Sequence, residues 1–335
     1  MATAPGPQLL AQAQRVEQAL GRPLTATRSS PRTLGYRSRI SLNTDASGRL
    51  GYHRPRSHEH TPVPSCAIAH PRLSALLDSL PPCPQGVARV ELRTDGSRVV
   101  WSGQSHASLH SGRRRRLPAS RVVQGAVQTQ DLLSIGLTGV ALDGRTLAGE
   151  PWIEIEVAGI SHRLGPLTFF QVNAEVNALL VRRVRDWVLS RHPTQVLDLF
   201  SGAGNLSLPL AKAQVPLVAL ESNPRAIDDL RATAARHDLQ VDARVTDARD
   251  VRAGQFFFDV AILDPPRKGA GRLLEQLVLT RPTAIAYLSC NPRALARELP
   301  LALDAGYRIA ALELFEMFPH THHTEVLCLL ERDRT

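Results

Sequence analysis

Cys290 stands one residue beyond the apolar run 284–288, and a thiol delivered by the carboxyl end of a buried strand is a candidate nucleophile. A lone cysteine in that position is ordinarily a packed core residue. Its company changes the reading. Ser289, Asn291 and Pro292 flank it, and further on the segment 318–325 (FPHTHHTE) supplies Glu325 with His322 and His323 as groups able to move a proton. Asp264-Pro265-Pro266-Arg267 follows the apolar run 260–263. Consecutive prolines stiffen that turn, because the residue before each is kept out of helical geometry. An acid on such a shelf can hold a polar group beside a planar base. A related motif with an aromatic fourth residue serves amino-group methylation of bases; here Arg267 takes that place, which argues against that chemistry.

The second constellation is a ligand turn. The run 196–199 leads into Phe200, Ser201, Gly202, Ala203, Gly204 and Asn205, and glycines there let backbone approach a ligand where side chains would collide. About twenty residues further on, Glu221 ends the run 217–220, the usual place of an acid that binds ribose hydroxyls. A dinucleotide site would carry a third glycine for the pyrophosphate, whereas Gly204 is followed by Asn205, Leu206 and Ser207. S-adenosylmethionine, which has an adenosine and an amino acid but no phosphate, suits the turn better. Asp247, after the run 241–245, is a candidate for the adenine edge or a capping aspartate, and Gln171 and Asn173 precede a long helix that Asn173 could cap. These two halves describe methyl transfer with a cysteine nucleophile.

The elements that must position these residues fall into two styles. Residues 34–103 read as short strands at 34–42, 50–53, 88–94 and 98–101, with a helix at 71–80, an antiparallel or mixed α+β module. From 174 onward, apolar strand runs alternate with helical ones: a helix at 174–189, strands at 195–199, 215–220, 241–245, 258–263 and 284–288, helices at 225–236, 273–279 and 294–305. Alternation of this kind predicts an α/β fold, a mostly parallel sheet with helices on both faces and ligands at the carboxyl ends of its strands. The division expected is an N-terminal α+β domain over 1–150 and a cofactor-binding methyltransferase domain over 151–335. Residues 7–20 form an amphipathic helix by spacing, ended by Gly21 and Pro23, and read as a peripheral element.

Composition bounds the partners. The formal charge is +9, and only Lys212 and Lys268 are lysines among 40 basic residues, so the surface is built of guanidinium groups that bind phosphate oxygens bidentately; the alternative is a solubilising excess without a partner. Cys66, Cys83, Cys290 and Cys328 are widely spaced, which indicates neither a disulfide framework nor a zinc knuckle and suits a reducing cytoplasm. No signal peptide and no run of about 18 apolar residues is present, so no membrane partner is expected.

In FFQVN (169–173), LDLFSGAGN (197–205), LDPPRKG (263–269), LSCNP (288–292) and FPHTHHTE (318–325), the chain closely resembles the bacterial S-adenosylmethionine-dependent RNA uracil-5-methyltransferases over about residues 34–333. The resemblance implies a Rossmann-like class I methyltransferase domain beside an RNA-facing α+β domain. It makes Cys290 the nucleophile and Glu325 the proton acceptor, with Gln171, Phe200, Asn205, Glu221, Asp247 and Asp264 around the cofactor. The chemistry agrees. Uracil carbon 5 is a poor nucleophile until a thiolate adds at carbon 6, and a base must remove the carbon 5 proton before the thiolate can leave. The pocket is therefore expected to favour the thiolate over an ordinary thiol of pKa about 8.5.

Two departures from the family stand out. Many relatives carry an amino-terminal TRAM barrel, which this chain begins too late to contain. Some ribosomal-RNA members hold a four-iron cluster through three close cysteines and a Cys-Pro-Ile segment; Cys66-Ala67-Ile68 matches the last, but no cysteine precedes it, so no metal is expected. The region 48–73 is more similar to the ribosomal-RNA members than to the transfer-RNA enzymes. The reading is methylation of uridine carbon 5 in structured RNA, with 23S rRNA ahead of tRNA and the protein a monomer. An amino-group methyltransferase using Asp264 and a catalytically silent RNA-binding protein are the alternatives, and the run Arg113–Arg116 is a candidate RNA contact or solvated charge.

Overall fold

The computed structural model describes residues 6–54, 57, 59–110 and 127–332. They divide into two compact units, one of Leu34–Ile155 with Arg163–Thr168 and the other of Met1–Thr33, Glu156–His162 and Phe169–Thr335. The linear division at 150/151 is thus corrected at the amino end, where the first 33 residues belong with the C-terminal half. The reason is packing. In the helix Pro7–Leu20, Leu9, Ala13, Val16 and Leu20 share one buried stripe and join the apolar core of the C-terminal unit. The helix lies against Pro292–Asp304, and strand β1 (Ala26–Arg28) pairs in parallel with residues 313–315. It is no peripheral element.

The unit built on Leu34–Ile155 holds a seven-stranded sheet. Its strands are β2 (Arg39–Thr44), β3 (Leu50–His53), β4 (His60–Pro62), β5 (Val87–Thr94), β6 (Val99–Ser105), β7 (Gly139–Leu142) and β8 (Arg145–Gly149), in the order β4-β3-β2-β5-β6-β7-β8. All pairings are antiparallel except β6 with β7. One face buries Ile40, Leu42, Val90, Leu92, Trp101 and Leu142 against Leu73 of the helix Pro71–Leu76. That helix ends at Leu76 with Leu77 as its C-cap, short of the expected residue 80. A two-residue turn at Ala158 (φ 52°) and Gly159 (φ 76°) joins β9 (Ile153–Val157) to β10 (Ile160–Leu164), the left-handed pair that matches hairpin twist.

The second unit is an eight-stranded sheet. After the helix Ala174–Leu189 come β11 (Val196–Leu199), β12 (Leu217–Glu221), β13 (Asp242–Val245), β14 (Val260–Leu263), β15 (Ala284–Ser289), β16 (Tyr307–Phe315) and β17 (Glu325–Arg332), ordered β1-β16-β17-β15-β14-β11-β12-β13. Strands β11, β14 and β15 are buried along their whole length, as continuous apolar runs covered on both faces must be. The order reverses at β11, which has β12 on one side and β14 on the other, and a crevice opens at such a switch point. Strands β16 and β17 did not announce themselves by alternation with helices. Strand β17 runs antiparallel to both β15 and β16, so it begins at the edge where the parallel strands finish.

Candidate active site

That antiparallel insertion decides the site. Cys290 follows β15, Asp264 follows β14 and Glu325 opens β17 beside them, with Val326 opposite Ser289 in the ladder. Residues far apart in the chain therefore share one end of the sheet. Asn291 caps the helix Pro292–Asp304 by accepting from the Arg293 amide at 3.2 Å, and its Nδ2 donates to the Arg267 carbonyl at 2.9 Å. The Cys290 turn is thereby tied to the Asp264–Arg267 turn.

The electrostatics are those of a buried acid cluster. Glu325 is 3 % exposed, and its Oε1 has no hydrogen-bond partner; burial first and the Asp264 carboxylate second push its carboxyl well above the usual range. Asp264 is itself pushed up to about 7 by burial and by Glu221. The Cys290 thiol is pushed up to about 11 by burial and then by Glu325 and Asp264, while Arg267 opposes the shift. The protein in this state therefore disfavours the thiolate, contrary to expectation, because burial, and after it the Glu325 and Asp264 carboxyls, outweigh the Arg267 guanidinium. Arg267 Nη2 donates to His323 Nδ1 at 2.7 Å, which puts the ring proton on Nε2 and makes His323 a donor in this arrangement.

The glycine turn lies along the same edge. Phe200 sits at φ 62°, in the left-handed region that a bulky residue occupies only under constraint. Gly202 donates to Glu221 Oε2 at 3.3 Å, and Asn223 donates to Oε1 at 2.7 Å. Asn205 exchanges two hydrogen bonds with Asn177 of the helix Ala174–Leu189, at 2.8 and 2.9 Å. Beneath the turn Asp198 is fully buried, accepts from Ser207 and is pushed up to about 7 by burial and by Asp264 and Glu221. Asp198 Oδ1 and Ser201 Oγ are buried without partners. S-adenosylmethionine carries a sulfonium and an ammonium, and such a cation suits an edge that gathers the carboxyl groups of Glu221, Asp264 and Asp198. The residues present fit the cofactor.

Gln171 is buried beside Phe170, whose ring packs 5.0 Å from that of His162, and Asn173 caps its helix by accepting from Val176. Asp247 caps the turn Ala248–Asp250 and is gripped by Arg249 Nε at 2.9 Å. It follows β13, the edge strand, so it stands at the far end of the row.

Three positioning residues escaped the sequence reading. Gln12 is 1 % exposed, and its Nε2 donates to the carbonyls of Thr321 at 3.0 Å and His323 at 3.3 Å, holding the loop that leads to Glu325. Glu298 accepts from the amides of Ala270 and Gly271, each at 3.0 Å, and from the Tyr287 hydroxyl at 2.5 Å, anchoring the loop beyond Arg267. Asn177 fixes Asn205. Each is a polar residue on the buried stripe of a helix, a signal that could have found them. Among the described residues no cluster of histidine, cysteine, aspartate or glutamate could hold a metal, and none of the helices is long and apolar enough to cross a membrane. Cys66 is half-buried, its amide donating to Ser74 Oγ at 2.9 Å.

A sheet of this order with an acid-rich glycine turn at its switch point defines a class I S-adenosylmethionine-dependent methyltransferase. Residues 232–333 match the family described as tRNA (Uracil-5-)-methyltransferase, and 177–281 match the methyltransferase small domain. The chain is 32 % identical over 317 residues to the 23S rRNA (uracil(1939)-C(5))-methyltransferase RlmD of Salmonella choleraesuis, covering 89 % of this chain and 71 % of that protein. The RlmD of Salmonella typhimurium is similar to the same degree. In fold the chain is similar to the Pyrococcus abyssi tRNA (uracil-54, C5)-methyltransferase, solved with S-adenosyl-L-homocysteine, with a TM-score of 0.74, 22 % identity and coverage of 96 % and 82 % of the two chains. The chain belongs to the S-adenosylmethionine-dependent RNA uracil-5-methyltransferases.

Proposed function

We propose that this enzyme methylates carbon 5 of a uridine in 23S rRNA through a transient covalent bond from Cys290 to carbon 6 of the base. The observation that carries the mechanism is the meeting of Cys290 with the buried Glu325 and Asp264 at one end of β14, β15 and β17. The Cys290 thiolate adds to carbon 6, and the electron pair displaced through the ring makes carbon 5 nucleophilic. The cofactor, when bound, supplies an electrophilic methyl group. Glu325 then takes the proton from carbon 5; the pair left behind restores the ring double bond as the carbon–sulfur bond breaks. Its unpartnered Oε1 and raised carboxyl suit it to hold that proton. Gln171, Phe200, Asn205, Glu221, Asp247 and Asp264 are proposed to hold the cofactor, Asp247 at the adenine edge.

The choice of ribosomal RNA is supported by the identity with the two RlmD proteins over most of the chain. We place the enzyme in the cytoplasm as a monomer acting on that RNA. Mass-spectrometric mapping of 5-methyluridine in total RNA, with and without the gene, tests the substrate. Loss of one methylated uridine from 23S rRNA is expected; loss from tRNA instead would overturn the assignment.

A further inference from the structure

The cavity in front of Cys290 is about 770 Å³, and its walls carry Arg15, Arg267 and Arg293 together with His322 and His323. Among the described residues that line it there is no carboxylate. Uracil is a neutral ring and asks for hydrogen bonds, not net positive charge. Guanidinium groups gathered around the mouth match phosphate oxygens, which they bind by paired charge-assisted hydrogen bonds. Arg293 stands in the first turn of the helix Pro292–Asp304, where the helix dipole opposes a cation, so its charge does not stabilise its own helix.

Arg15 comes from the amino-terminal helix, which is firmly held. Leu9 and Val16 are at most 1 % exposed, Gln12 bridges the two loop carbonyls, and Gln8 Oε1 accepts from the His320 amide at 3.0 Å. The helix thus presents Arg15 at a fixed place on the pocket wall, with its Nε donating back to the Ala11 carbonyl at 3.3 Å. We infer that the helix Pro7–Leu20 is part of the RNA-binding surface, with Arg15 and Arg293 contacting the phosphates that flank the target uridine. This rests on the covalent mechanism at Cys290 for the position of that uridine.

The experiment is filter binding of a 23S rRNA transcript across a salt series, with steady-state methylation alongside, for the wild type, Arg15→Ala, Arg293→Ala and the control Arg244→Ala. Arg244 lies on β13, the far edge of the sheet, paired with Asp242. Each pocket variant should flatten the slope of log affinity against log salt by about 0.7–0.9. Each should also raise the RNA KM on the order of threefold to tenfold with kcat unchanged, the pattern of weakened uniform binding. Cofactor affinity and Tm should stay at wild-type values. If Arg293→Ala lowers Tm, Arg15→Ala alone decides. An unchanged slope and KM for Arg15→Ala, or an equal effect of Arg244→Ala, overturns the inference. A wild type that binds the transcript yet methylates nothing would instead sink the proposed reaction, while the salt slopes would still decide the surface.

Discussion

Cys290 and Glu325 share one electrostatic field and, in the proposed cycle, act at opposite ends, so their variants should fail differently. Cys290→Ala should abolish methylation and any covalent RNA adduct, because the base is never activated. Glu325→Gln keeps the shape and removes the proposed proton acceptor. A denaturing gel with RNA labelled on the transferred methyl should show an adduct that carries the methyl and does not turn over. Rapid adduct-free turnover would move the base to a histidine. The glutamine change also removes a carboxyl that, second to burial, holds the thiol up near 11, so adduct formation should reach its half-maximal rate at lower pH than in the wild type. Asp264 offers a stability test. Its folded pKa of about 7 lies above the ordinary 3.8, so the native state binds the extra proton and loses relative stability as pH rises through that window. Asp264→Asn should therefore raise Tm at pH 8 relative to the wild type and leave it nearly unchanged at pH 3.5, and a stabilisation independent of pH would disprove the assignment.

Short elements hold these groups, and their failures should be local. Gly204 adopts φ 83°, and a Cβ there would meet Leu208 Cγ and Leu230 Cγ at 2.9 Å each. Gly204→Ala should cost about 1–3 kcal/mol by strain and overpacking, and isothermal titration should show weaker cofactor binding, since the turn would have to shift. Gln12→Leu removes the donor to the Thr321 and His323 carbonyls while keeping the stripe apolar. Two carbonyls lose a partner, at a cost of about 1–3 kcal/mol, and turnover should fall because the loop before Glu325 loosens. Unchanged kcat with a lowered Tm would limit Gln12 to a role in stability.

Across the whole molecule the excess of arginine implies an electrostatic contribution to RNA affinity. The run Arg113–Arg116 lies outside the described residues, so its part rests on charge alone. Replacing it by serines should weaken RNA binding and flatten its salt dependence by about 0.7–0.9 for each phosphate that the arginines neutralise. An unchanged slope would remove the run from the interface.

Local sequence determined the parallel core and the row of polar positions at its carboxyl edge. Apolar runs of strand length followed by Phe200, Glu221, Asp264 and Cys290 can be read one at a time, because strand burial and turn chemistry depend on neighbours in the chain. The helix Pro7–Leu20 was legible to the residue for the same reason, with Pro7 at its start and Gly21 in the left-handed conformation at its end. Its place was not. Burial of Leu9 and Val16 in the C-terminal core, and the hydrogen bonds of Gln12 some 309 residues away, are long-range matters on which periodicity is silent. The same holds for β17, whose antiparallel insertion between β15 and β16 brings Glu325 to Cys290. The state of the thiol was decided by tertiary structure too, because the pKa of Cys290 is set by burial and by carboxylates from two other strands.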